Sequence, residues 1–274
     1  MSNILYPDSG SPFEDASILR NAVYFSTTQR AHSAQLILQQ PLGVNQQLLA
    51  FLVLRAFEEF MTSTEDMVGW LFVLEKWQPG NAEFSLFLLL DRIKVGKKPI
   101  EKGDDYTETR AVSLLSGLDE QGFRNLVHIP NDADLLASGM PKERVEVIKR
   151  SIAFKLDGWC RITNKRAEQG RGWVRAFNKL KHHMLAFPTR EHDKEEVWLP
   201  SRIRFNKGKN RVLLERAWLN VSAEEVKRFA GDSIAAQAVL HDTLALILVT
   251  RYGEKYIAPQ WVIRAFETDY LWRR

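Results

Sequence analysis

The chain has 274 residues, 45% of them hydrophobic and 26% charged, with a net charge of +4. This balance excludes a disordered or collagen-like chain and fits one large or two small globular domains, with eight Trp and fifteen Phe to fill a core. Cys160 is the single cysteine, which excludes an internal disulfide and a cysteine-rich zinc site and points to a reducing, cytoplasmic location.

The opening residues, MSNILYPDSGSP, lack the basic region and apolar run of a secretion signal. Residues 45–77 are apolar on nearly every side, through Leu48, Phe51, Leu52, Phe57, Phe60, Met67, Trp70 and Leu74, and predict a long helix at the centre of a bundle. Its most apolar stretch, 48–57, is interrupted by Arg55 and followed by Glu58 and Glu59, so no membrane span is expected. Pro79-Gly80 breaks the helix. Residues 82–95 read as a second apolar helix or as a buried strand, and 96–105 as a polar loop. Shorter helices are expected over 106–115 and 119–127. Pro141 opens a long helix to about Glu168, and Gly170 and Gly172 separate it from a helix over 173–187, the two packing as a hairpin.

After Pro188 a polar run, 189–196, leads into two strand-like segments, 197–205 and 211–219. In the first, Ile203 and Phe205 alternate with Arg202 and Arg204, and the loop between the segments contains Gly208. Ser222 and Glu225 form a capping-box pair opening a helix to about Arg251, and Pro259 starts a last helix carrying Trp261 and Phe266. The expected architecture is therefore mostly α, a helical bundle over 1–188 followed by a β-hairpin and additional C-terminal helices over 189–274, packed on the bundle.

Charge is unevenly distributed. Between Lys142 and His183 twelve Lys and Arg face four acids, a local excess of eight in a chain whose total excess is four. Such a segment suggests a polyanion partner, of which RNA or DNA is the commonest. The glycine cradles of nucleotide-binding loops and the GxSxG elbow are missing, as are helix-borne His pairs for zinc, so neither a cofactor nor a metal is expected. Cys160, beside Trp159, reads as a small packed thiol, and His128 and His241 as hydrogen-bonded core residues. Glu58 and Glu65 share a face of the central helix, either as partners for a basic stripe or as its exposed side.

That basic stripe lies in Trp173 to Phe187. At about 100° per residue, Phe177, Leu180 and Met184 fall within about 40° of Trp173, whereas Arg175, Asn178 and His182 fall at about 200°, 140° and 180°. A cation, an amide and an imidazole at i, i+3 and i+7 converge on one phosphate-sized ligand. Arg175 offers a permanently charged fork for phosphate, and His182, with an ordinary pKa near 6.5, a base or acid for a 2′-OH or leaving oxygen. Asn178 stands one turn before His182. Arg171, Lys179, Lys181 and His183 are the expected contacts to a nucleic-acid backbone.

The segment from Arg175 through six residues to His182 resembles the R-x4-6-H element of the HEPN superfamily, helical-bundle proteins that include metal-independent ribonucleases. The resemblance covers about fifteen residues. It implies a bundle that dimerises, pairs two such helices across a cleft and uses the Arg and His on RNA. Ala176 stands where many members carry a polar residue, which leaves Asn178 as the polar companion. Two functional readings fit: a HEPN-like RNA-binding protein or metal-independent endoribonuclease, and a non-enzymatic protein-protein interaction or dimerisation module.

Overall fold

The computed structural model describes residues 14–43, 45–93, 95, 106–181, 186–191, 194–206, 208 and 211–257. Its helices are α1 (Asp15–Asn21), α2 (Thr27–Leu38), α3 (Gln46–Lys76), α4 (Leu86–Arg92), α5 (Glu108–Ser116), α6 (Glu120–Leu126), α7 (Asp132–Ala137), α8 (Lys142–Glu168), α9 (Gly170–Lys181) and α10 (Ala223–Tyr252). Three strands, β1 (Phe187–Glu191), β2 (Lys194–Asn206) and β3 (Arg211–Asn220), form an antiparallel sheet in the order β1-β2-β3. The protein is thus mostly α with one principal β-hairpin. The expected helix over 259–266 lies outside the described residues.

Local chemistry explains most of the helix ends. The Asn45 side chain accepts from the Gln47 amide at 2.8 Å and opens α3, and Gly80, at φ +85°, supplies the left-handed turn that follows it. Thr107, Asp119 and Asn131 cap α5, α6 and α7 in the same way, each accepting from the amide three residues on. Ser222 accepts from the Glu225 amide at 3.2 Å and starts α10. The 82–95 segment is not one helix. A short 3-10 turn, Ala82–Phe84, ends at Ser85, whose backbone is extended, and α4 begins after it. The first amide of α4 is capped from far away in sequence: Asp15 Oδ1 accepts from the Leu86 amide at 2.9 Å, while Oδ2 accepts from Trp77 Nε1 at 2.8 Å.

The chain divides into two compact units, residues 1–29, 65–163 and 235–274 in the first, and 30–64 and 164–234 in the second. The expected boundary at residue 188 falls inside the second. The first unit buries Phe72 and Leu74 of α3, Trp77 just after it, Ile148, Ile152 and Trp159 of α8, and Leu244 and Ile247 of α10. The buried Trp159 indole donates to Thr243 Oγ1 at 3.0 Å, so its N–H stays satisfied within the core. Among the described residues α10, not the 48–57 stretch of α3, is the helix long and apolar enough to cross a membrane; its mean hydropathy reaches 1.5 over eighteen residues, of which 78% is buried within the protein.

The second unit has its own core. Phe57 is fully buried among the rings of Trp173 at 5.3 Å, Phe177 at 6.3 Å and Phe229 at 5.5 Å. Val197 and Leu199 of β2 and Ala217 and Leu219 of β3 join this core from one face of the sheet, against which α9 packs. The sequence places Phe187 at the end of a helix and 189–196 in a polar run, with no strand before 197. β1 is a strand because its backbone pairs with β2 from Phe187↔Trp198 to Glu191↔Lys194, and a ladder needs no apolar alternation.

Candidate nucleic-acid interface

α9 begins at Gly170, three residues before the expected start, and its described part ends at Lys181. Phe187, expected as the last residue of this helix, instead opens β1. Within α9 the predicted faces hold. Ala176 and Phe177 are buried, Trp173 and Leu180 pack partly against the core, and Arg175 and Asn178 point into solvent. Lys179 is half-buried. The apolar stripe is drawn onto Phe57 and the sheet, and the helical period turns the polar stripe outward.

Arg175 and Asn178 therefore lie one turn apart on the exposed face of α9. His182 and His183, which would extend that stripe and its backbone contacts, lie outside the described residues, as do the side chains of Arg171 and Lys181. The groove in this unit lies elsewhere. A cavity of about 570 Å³ runs between the start of α3 and the sheet, lined by Gln47, Ala50, Phe51 and Leu54 on one side and by Glu195 and Val197 on the other. Neither Arg175 nor Asn178 lines it. Its apolar floor and acidic rim are unsuited to phosphate.

The electrostatic setting is more informative than the shape. Within residues 30–64 and 164–234 there are eighteen Lys and Arg against eleven Asp and Glu, a net charge of +7, so the other unit carries −3 of the chain's +4. Of the excess of eight along 142–183, five lie in this unit, on 164–183, and three in the other, on 142–163. Sequence reasoning placed the basic excess on 142–183 and missed the hairpin, where six Lys and Arg fall between Arg202 and Arg216 against Glu215 alone. Alternation of Arg with apolar residues at 202–205 was the available signal, and it reads equally well as ordinary strand patterning. In the structure Arg202 pairs loosely with Glu215 at 3.7 Å, Arg204 is exposed, and the Arg216 guanidinium lies 3.5 Å over the Trp198 ring.

The remaining titratable candidates have structural employment. Glu58 pairs with Arg55, not with Arg175, and burial raises its pKa against the pull of that guanidinium. Cys160 is half-buried, and burial pushes its thiol pKa up, which disfavours the thiolate. The His241 ring contacts the buried Asp242 carboxylate at 2.7 Å. His128 Nε2–H donates to the Leu74 carbonyl at 2.9 Å, and its ring stands edge-on to Trp77 at 5.0 Å. Its backbone is left-handed, φ +55°, a conformation tolerated better by His, Asn and Asp than by most residues. Among the described residues no three His, Cys, Asp or Glu side chains group as a metal site.

Burial lowers the His128 pKa from its ordinary value of 6.5. The unfolded chain therefore takes up the proton first, so this contribution to stability is full above about pH 6.5 and is lost as the pH falls through the lower folded value. Urea midpoints should drop between pH 7.5 and pH 5, and His128→Asn, which keeps the left-handed backbone accessible, should show a smaller drop. Equal acid-side losses in both proteins would remove His128 as the cause. In comparisons with known proteins, no family model, no curated protein and no solved structure matches the chain.

Proposed function

We propose that this is an RNA-binding protein of HEPN-like type, whose basic second unit holds the RNA backbone and whose α9 presents Arg175 and Asn178 to it. The observation that carries the reading is the charge partition, +7 in one unit against −3 in the other, which gives a polyanion a defined place to bind. The outward direction of Arg175 and Asn178 adds phosphate donors on that unit. RNA cleavage without added metal is a further step of the same proposal: His182 acts on the 2′-OH or the leaving oxygen and Arg175 on the charge developing on the phosphoryl group. One exposed helix face does not enclose a scissile phosphate, so cleavage calls for a homodimer that brings a second α9 alongside the first.

The test is binding of a labelled single-stranded RNA followed by anisotropy. With about five phosphate contacts, affinity should fall about a hundredfold between 50 and 200 mM salt. In chelator, His182→Ala should abolish cleavage and largely preserve binding, while Arg175→Ala should weaken both. Cleavage that survives both substitutions removes the site; salt-insensitive or missing RNA binding removes the function. The second reading, a non-enzymatic interaction or dimerisation module, is favoured by one feature, the exposed apolar face of the hairpin, and would be the better one in that case.

A further inference from the structure

Among the described residues the outer face of the sheet is largely exposed toward the hairpin end, while Pro200 is buried and Trp198 half-buried. Register pairs Trp198 with Trp218, Pro200 with Arg216, Ile203 with Leu214, and Phe205 with Val212. A bulge between Pro200 and Arg202 adds one residue to β2. Because side chains alternate with period two, that extra residue moves Ile203 and Phe205, in place of Arg202 and Arg204, onto the face that carries Trp198 and Trp218. The result is a strip of apolar and planar groups in water: Phe205 is 58% exposed, Val212 63% and Trp218 54%. Burying these side chains would be worth far more than leaving them out, so a strip of this size marks an interaction surface.

From this juxtaposition we propose that the outer face of the β2–β3 hairpin is a base-stacking surface for single-stranded RNA, with Trp218, Phe205 and the Arg216 guanidinium stacked on Trp198 as its planar elements. It rests on the RNA-binding reading above and names which part of the unit holds the bases. Three observations select this occupant. Exposed rings and guanidinium planes are what unpaired bases stack on. The same hairpin is basic in sequence, six cations against one acid from Arg202 to Arg216, with Arg216 on the outer face itself and Arg202 and Arg204 on the opposite face of the same strands. That charge also opposes a second copy, which would lay one strongly basic hairpin on another. Tip-first insertion into a lipid surface would bury Lys207 and Lys209, which stand in the turn sequence between the strands.

The experiment measures the full-length protein against labelled oligouridine, with inorganic polyphosphate as a polyanion that has no bases. Trp218→Leu and Phe205→Leu keep the face apolar and remove a ring; both positions are exposed, and circular dichroism verifies that the variants fold. Each should weaken oligouridine binding about tenfold, the lower range for loss of one stacked base, and leave polyphosphate binding unchanged, whereas Trp218→Phe should restore most of the loss. Parent-like RNA affinity in both leucine variants overturns the stacking surface and leaves the basic-unit reading standing. Failure of the parent to bind either polyanion overturns the RNA-binding reading itself, and this one with it. Two other outcomes overturn only the choice of occupant: loss of binding to phosphatidylserine vesicles without loss of RNA binding in Trp218→Leu, or a dimer that this variant dissociates.

Discussion

Phe57→Ala should destabilise the protein by about 3–5 kcal/mol, the usual cost of removing a buried ring. Phe57 is fully buried, and its neighbours Trp173, Phe177 and Phe229 come from α9 and α10 and meet it at ring distances of 5.3–6.3 Å. Edge-on and tilted contacts of this kind add to the area term, and three rigid rings have little freedom to collapse into the space left behind. Trp173 and Phe177 also anchor the apolar side of α9, so the same change should loosen the helix that presents Arg175. Phe57→Leu, which refills most of the volume, should cost clearly less. Urea unfolding of the three proteins checks this; a loss below about 1 kcal/mol in Phe57→Ala would mean that the cluster repacks freely, contrary to close packing.

Asp15→Ala should cost about 2–5 kcal/mol, because one carboxylate serves two donors. Trp77 Nε1 and the Leu86 amide lie 2.8 and 2.9 Å from its two oxygens, and Trp77 is 1% exposed. A stranded donor at a buried or half-buried position costs about 1–3 kcal/mol. Asp15→Asn retains one acceptor oxygen and should lose roughly half as much. Thermal unfolding distinguishes the two variants, and parent-like stability in Asp15→Ala would show that water replaces the carboxylate at both donors. Because the second donor is the first amide of α4, hydrogen exchange at Leu86 should quicken in Asp15→Ala before global unfolding.

Where the signal was local, the sequence determined the structure. The breaker at Pro79-Gly80, the Pro141 start of α8 and the Ser222 cap of α10 are decided by residues within one turn of the boundary, and all three hold; the Asn45 cap, seen only in the structure, is as local. The outward direction of Arg175 and Asn178 followed in the same way from helical period alone. Residues 82–95 behave differently, since the first amide of α4 after Ser85 is capped by Asp15, some seventy residues earlier. β1 depends on backbone bonds to β2, for which its own side chains carry no pattern. The site divides along the same line. Which α9 residues face water is a property of one helix, and the +7 comes from the contiguous residues 164–234, because 30–64 hold two Arg against two Glu; only packing assigns the Lys and Arg of 142–163 to the other unit. The bulge after Pro200, which puts Ile203 and Phe205 on the outer face in place of two arginines, exists only once β2 is in register with β3. Periodicity reports how a segment divides its surface; only tertiary packing decides what, if anything, covers each face.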